Sequence, residues 1–141
     1  MKDASPVRVW SLLVRMRQLR VERVRRQLRE ARSAAEHAGA NTAARKQAIT
    51  EHDLRRRTIL AACACGDARA SLWRMALVRH DSEKFALETA LVAARDAETR
   101  AQKHVVSVLH ALQREMRGLD FARERVRRLL AAQDDDSGID D

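Results

Sequence analysis

The side chains best suited to chemistry are few in this sequence and widely spaced. Cys63 and Cys65 are separated by one residue, and neither a histidine nor a second cysteine pair lies near them to complete a zinc site. We therefore interpret them as small residues at a tight turn rather than as a metal or redox centre. Two cysteines are also too few for a disulfide framework, which favours a reducing compartment.

The histidines and glutamates do not form a catalytic grouping either. His52 and His80 fall on the apolar seams described below, so we interpret them as packing residues, while His104 and His110 do not share a helix face. Most of the glutamates lie three or four residues from an arginine, as in solvated helix pairs. No phosphate-binding glycine loop is present. We expect no catalytic, cofactor-binding or metal site, and no enzymatic activity.

The first stretch that organises the chain is Val7–Arg32, where apolar residues recur every three or four positions. Such a pattern is typical of a helix packed along a seam against another helix. The repeat weakens around Gly39, where a kink, a frayed segment or a turn would each fit, and it recovers at Ile49, which favours a single helix that is irregular at Gly39. With Val7 as position a of a heptad, the a and d positions are Val7, Trp10, Val14, Arg17, Val21, Val24, Leu28 and Ala31.

A second heptad repeat runs from Trp73 to Leu129 with few interruptions. Its a and d positions are mostly leucine, valine and alanine. Lys84, Glu98 and Glu115 are polar exceptions, which reduce stability but can fix the register of the pairing. This stretch predicts a second long helix.

The segment between the two repeats predicts how the helices are connected. Gly66 suits a helix-ending position and Asp67 can cap the following helix, so a turn is predicted over residues 63–68. We expect an all-α fold, a long two-helix antiparallel coiled-coil hairpin with a disordered acidic C-terminal tail. Helix 1 would span about residues 6–62, helix 2 about 69–132, and the tail 133–141.

The charge of the chain is strongly positive and unevenly distributed. The 28 basic and 20 acidic residues give a net charge of +8, and five of the acids lie in the last eight residues. The stretch Arg15–Arg32 contains eight arginines and only two glutamates. Because arginine pairs bidentately with carboxylate and phosphate, acidic proteins, nucleic acid and anionic membrane are candidate partners. The alternative is that the arginines only solubilise a coiled coil.

Two sets of apolar residues fall outside these seams. Apolar side chains that have no interior to join favour docking surfaces, although a wrong register or packing by a third segment would also explain them. The first set is Val9, Leu12, Met16 and Leu19, and the second is Leu72, Met75, Val78 and Phe85.

The stretch Leu12–Arg32, LLVRMRQLRVERVRRQLREAR, resembles the opening of the stalk proteins of type III secretion systems, the YscO/FliJ family with its HrpO-like members. These proteins begin with a leucine pair and an arginine-rich helix, and they are small, basic and almost entirely coiled coil. The segment Arg79–Leu87, RHDSEKFAL, is similar to the charged lead into a Lys-Phe pair in several members.

The resemblance implies a non-enzymatic bacterial protein of the cytoplasm, peripheral to the inner-membrane secretion apparatus and without cofactor or small-molecule substrate. It would lie in the central pore of the secretion ATPase hexamer and link it to the cytoplasmic domain of the export gate and to export chaperones. By position, we expect the ATPase to contact Arg15, Arg17, Arg20, Arg23, Arg25, Arg123, Arg125, Arg127 and Arg128. We expect the gate or the chaperones to contact Leu72, Met75, Val78 and Phe85.

Two other interpretations stay open. A nucleic-acid-binding coiled coil would explain the charge, although the chain has no tyrosine, few aromatic residues and no recognisable reading module. A basic scaffold, at a membrane surface or elsewhere, is the other; its arginines surround the seam instead of occupying one face as in an interfacial helix. The N-terminus has no apolar run typical of a signal peptide, and no stretch approaches a membrane span.

Overall fold

A computed structural model describes residues 4–64 and 69–139 of the chain. It contains two helices, α1 (Pro6–Ala64) and α2 (Ala70–Ser137), and the described residues include no strand. The helices pack against each other as an all-α helical hairpin, so the predicted fold class is confirmed. Of the predicted turn, Cys63 and Ala64 belong to α1, and residues 65–68, with the predicted caps Gly66 and Asp67, lie outside the described residues.

The start of α1 follows from Ser5 and Pro6. Proline fits the first position of a helix because its missing N–H would have no partner there, and the Ser5 carbonyl accepts the first hydrogen bond, from the N–H of Val9 at 3.1 Å. The helix then continues through Gly39 without a break, as the recovery of the seam predicts. At Thr42 the hydroxyl donates to the Ala38 carbonyl at 3.1 Å, which satisfies a polar group that is buried on the seam.

The end of α2 differs from the sequence prediction. The helix was expected to end at residue 132, but it continues to Ser137, so residues 133–137 of the predicted acidic tail are helical. Its last turn closes on the Asp134 carbonyl, which accepts bonds from the Ser137 hydroxyl at 2.9 Å and the Gly138 N–H at 3.2 Å. A serine and a glycine therefore end the helix, although acidic side chains near a helix C-terminus oppose the helix dipole.

The chain divides into two compact units, and each helix contributes to both. The terminal unit comprises Met1–Ala31 and His104–Asp141, and the central unit comprises Arg32–Lys103.

The terminal unit has a continuous apolar core at the predicted seam positions. Valine and leucine side chains dominate it, and fully burying such a side chain contributes about 1.5–3 kcal/mol. The heptad register therefore identified the residues that α1 and α2 bury here. The buried cluster is Val21, Val24, Leu28, Ala31, Val108, Leu112 and Leu119, with Val14, Val105, Leu109 and Ala111 packed against it.

The central unit buries a different kind of seam. Its buried residues are Ala94 and three polar side chains, Thr42, His52 and His80. All four occupy predicted a or d positions, so the register holds here too, but the side chains are small or polar. Within the described residues, neither helix contains a stretch long and apolar enough to cross a membrane.

Candidate partner-binding surfaces

The structure places all nine arginines predicted to contact the ATPase in the terminal unit. This unit contains fifteen basic and eleven acidic residues, with five of the acids in its last eight positions, and the central unit contains thirteen and nine, so the two units have the same net charge of +4. Eight of the nine side chains are exposed, and Arg17 is half-buried. The positive charge of the terminal unit is therefore concentrated before its acidic C-terminal residues, and most of the nine arginines are accessible to a partner.

Arg17 occupies a seam position and turns inward toward α2. Its Nη1 lies 3.6 Å from Oε2 of Glu115, a carboxylate oxygen that is buried and has no closer hydrogen-bond partner. The same guanidinium lies over Gly118, where an added Cβ would come within 2.8 Å of Nη1. Gly118 thus provides the space that Arg17 needs. Of the nine predicted arginines, Arg17 is the least exposed, and its side chain contacts the other helix.

The arginines of α2 in this unit are interleaved with acidic residues. Glu124 pairs with Arg127 and with Arg128, whose Nε is 3.2 Å from the carboxylate. The guanidinium carbon of Arg125 lies 6.0 Å from the Trp10 ring centroid, at the limit of a cation–π contact. Because these side chains are largely exposed, each pair contributes little to stability and a stronger partner can displace it.

A groove between the helices of this unit shows how the like charges are accommodated. Arg25 and Arg123 both line it, and Glu22 and Asp120 lie beside them. Both helices carry several arginines in this unit, and like charges that face each other repel. Acidic residues from both helices line the same groove as the arginines, which lowers the density of positive charge there.

An exposed apolar strip runs along α1 in the terminal unit. Its residues are spaced three and four apart, so they share one face of the helix, with arginines on either side of them. A row of apolar side chains with this much exposed surface is typical of a docking surface. The strip consists of Val9, Leu12, Met16 and Leu19, each 43–61% exposed.

The four residues predicted to contact the gate or a chaperone form a second apolar strip, on α2 of the central unit. Each is 65–75% exposed, which agrees with their predicted positions outside the seam. No other segment described in this unit covers them. We call this group, Leu72, Met75, Val78 and Phe85, the α2 strip.

Two histidines form a stacked pair in the seam of the central unit. The rings of His52 and His80 are nearly parallel, with centroids 3.4 Å apart, and the side chains are 1% and 7% exposed. His80 Nε2 lies 2.7 Å from the His52 carbonyl oxygen, whereas neither ring nitrogen of His52 has a hydrogen-bond partner. An unpaired buried donor costs about 1–3 kcal/mol. The sequence predicted packing residues here; it did not predict that the two would meet.

Ion pairs between the helices lie next to the histidine pair. The Arg56 Nε donates to Asp81 Oδ1 at 2.8 Å, and Lys84 Nζ lies 3.2 Å from Asp53 Oδ1. The hydrogen bond from Arg56 lowers the pKa of Asp81 below its ordinary value and raises that of Arg56. The central unit therefore joins its helices through directed polar contacts.

Comparisons of the chain with protein-family models, curated proteins and solved structures found no match. A functional interpretation therefore depends on the surfaces just described and on the resemblance of Leu12–Arg32. Those surfaces are an arginine-rich face with an apolar strip in the terminal unit and the α2 strip in the central unit.

Proposed function

We propose that this chain is the non-enzymatic stalk of a bacterial type III secretion system, acting in the cytoplasm next to the inner-membrane apparatus. The observation that supports this most directly is the exposure of eight arginines in the terminal unit, none of which the hairpin needs for its core. The helical hairpin and the resemblance of Leu12–Arg32 add to that support.

In this proposal, the terminal unit binds the secretion ATPase hexamer. Arginine pairs bidentately with carboxylates, so the surface fits a pore lined with acidic side chains. The apolar strip beside the arginines would supply the buried contact area that charge pairs alone do not. A stalk affects its ATPase only by contacting the conformations of the subunits differently, because a partner shifts an equilibrium only through differential affinity.

The α2 strip is the proposed contact for the export gate or an export chaperone. Its four residues are bulky and exposed, and an apolar helix face of this kind can enter a hydrophobic groove on a partner. The two ends of the transport machinery would then contact different residues of one chain.

Charge reversal tests the ATPase contact. We expect replacement of Arg15, Arg20, Arg23 and Arg25 by glutamate to abolish co-purification with the cognate ATPase and its effect on ATP turnover, while circular dichroism stays helical. Arg17 is left intact because it pairs with Glu115. The matched control reverses Arg45, Arg55, Arg57 and Arg100, four exposed arginines of the central unit, and changes the net charge equally.

The outcomes separate the proposed function from its alternatives. ATPase binding that survives the terminal-unit reversal, or that is lost equally in the control, would contradict the proposal. Tight retention on DNA at physiological salt, lost on reversal and without ATPase association, would favour the nucleic-acid interpretation. Absence of both activities would favour a scaffold for another partner.

The α2 strip is tested in the same way. We expect Leu72→Asp combined with Met75→Asp to weaken binding to the gate's cytoplasmic domain or to chaperones without affecting the ATPase. Leu54→Asp with Leu60→Asp, also exposed in the central unit, is the control. Normal gate and chaperone binding by the first variant would argue against this contact.

A further inference from the structure

Three potential metal ligands meet beside the stacked histidines of the central unit. They are His52 from α1 and His80 and Glu83 from α2, and their ligand atoms all lie within 4.8 Å of one another. His80 and Glu83 are three residues apart, so they lie on the same side of α2. Two imidazole nitrogens and a carboxylate oxygen form a donor set that suits Zn²⁺ and related divalent transition metals.

The hydrogen bond of His80 leaves one of its nitrogens free for a metal. A carbonyl oxygen only accepts, so the 2.7 Å contact to the His52 carbonyl requires the hydrogen of the His80 ring to be on Nε2. In the neutral ring the lone pair is then on Nδ1. Histidines that bind metals usually donate their other ring N–H to a carbonyl or a carboxylate in this manner, which fixes the ring and its tautomer.

His52 provides the second and independent indication. Its side chain is 1% exposed, and both ring nitrogens have no hydrogen-bond partner. Buried polar side chains are normally paired, so an imidazole in this position calls for an explanation. A bound cation next to the ring would give one nitrogen a ligand bond.

We propose that His52, His80 and Glu83 form a binding site for a divalent transition-metal ion, with Zn²⁺ as the best match to the ligands. The ion would reach the site from the side of Glu83, whose side chain is 56% exposed. Three protein ligands leave a fourth position for water or for a group from a partner. The site shares no residue with the proposed ATPase and gate contacts, and it stands whether or not those are correct.

Two local adjustments accompany binding. The ring planes are only 10° apart, and a metal lies in the plane of each ligating ring, so one imidazole must rotate out of the stack. Glu83 must also leave Arg79, whose Nε is 3.5 Å away in an exposed pair that contributes little. Because ligands from both helices would hold the ion, binding would favour the folded central unit over the unfolded chain.

The test uses the full chain with ZnCl₂ as the probe. We expect calorimetry to show one ion per chain, and thermal unfolding by circular dichroism to show a Tm that rises with Zn²⁺ concentration and returns with EDTA. Co²⁺ in place of Zn²⁺ should give the visible absorption of a nitrogen- and oxygen-ligated ion. His52→Gln and His80→Gln should each raise the Kd at least tenfold.

Glu83→Gln keeps the test decisive if a histidine variant folds poorly, because Glu83 is exposed and its loss leaves the seam intact. It should also raise the Kd about tenfold. Two controls should bind as the native chain does: His104→Gln with His110→Gln, both exposed, and Cys63→Ser with Cys65→Ser.

Three results would overturn the proposal. One is no Zn²⁺-dependent rise in Tm at a large molar excess of the ion. Another is a Kd that is unchanged in both His52→Gln and Glu83→Gln. The third is binding that disappears in the cysteine variant, since thiolates are strong zinc ligands and would then be the true site.

Discussion

The terminal and central units use the same two helices but hold them together by different means. In the terminal unit the buried seam is built of valine and leucine. In the central unit it is built of alanine, threonine and histidine, with interhelical ion pairs beside it. An apolar seam supplies stability but accepts several registers, whereas polar layers cost stability and favour one register. The comparison indicates that stability and alignment are provided by different parts of the chain.

The largest expected effect comes from emptying the apolar seam. Leu112→Ala removes a buried side chain from the terminal unit and should lower the free energy of unfolding by about 2–4 kcal/mol, measured by urea denaturation. Leu130→Ala, in the same helix but exposed, should change it by less than about 0.5 kcal/mol. Equal effects of the two substitutions would show that the terminal seam does not carry the stability.

The histidine seam should respond in the opposite direction. His52→Leu replaces a buried ring with two unpaired nitrogens by an apolar side chain and should raise the free energy of unfolding by about 1 kcal/mol in the presence of EDTA. His80→Leu should be less favourable, since it also removes the bond to the His52 carbonyl. A strongly destabilising His52→Leu would mean that the pair stabilises the central unit as it stands.

The Arg56–Asp81 pair should give the central unit a dependence on acid pH. Because the pKa of Asp81 is lowered in the folded state, its contribution to stability is complete above the ordinary value of 3.8 and is lost as the pH falls through the lowered value. Thermal unfolding between neutral and acid pH should show this small loss. Asp81→Asn should remove this part of the pH dependence. If the variant loses as much stability at acid pH as the native chain does, the pair does not form in solution.

The smallest effect is expected at Gly118. Gly118→Ala gains helix propensity, by about 1 kcal/mol, but its Cβ displaces the Arg17 guanidinium from Glu115. The two effects should nearly cancel, leaving a net change within about 0.5 kcal/mol by urea denaturation. The more informative measurement is the coupling free energy between Arg17 and Glu115 from a double-mutant cycle. It should be smaller when residue 118 is alanine than when it is glycine.

Much of the fold was accessible from the heptad pattern. The pattern gave the positions that become buried, from Val21 to Leu119 in the terminal unit and at His52 and His80 in the central unit. A turn centred near residue 66 would also have paired His52 with His80, since each is fourteen residues from it. The sequence therefore contains a signal for this pairing, which lies in the distances from the turn and not in the heptad pattern.

Other features depend on side-chain conformations that periodicity does not encode. The heptad position of Arg17 does not reveal that its guanidinium rests over Gly118, and the spacing of Glu115 does not reveal that one of its oxygens is buried. The helical turn at Asp134–Ser137 depends on hydrogen bonds from Ser137 and Gly138 to the Asp134 carbonyl. The acidic composition of this segment predicts disorder and gives no sign of these bonds. The proposed partners are not encoded in the fold at all and stay predictions.

The bond from His80 to the backbone of residue 52 has a consequence for how this protein can vary. Its acceptor is a main-chain oxygen, which every amino acid at position 52 supplies. Mutation at position 52 can therefore change the ligands of the proposed metal site while the backbone contact between the two helices persists. Substitutions at position 52 can therefore alter the affinity of the proposed site for metal without altering how the two helices are aligned.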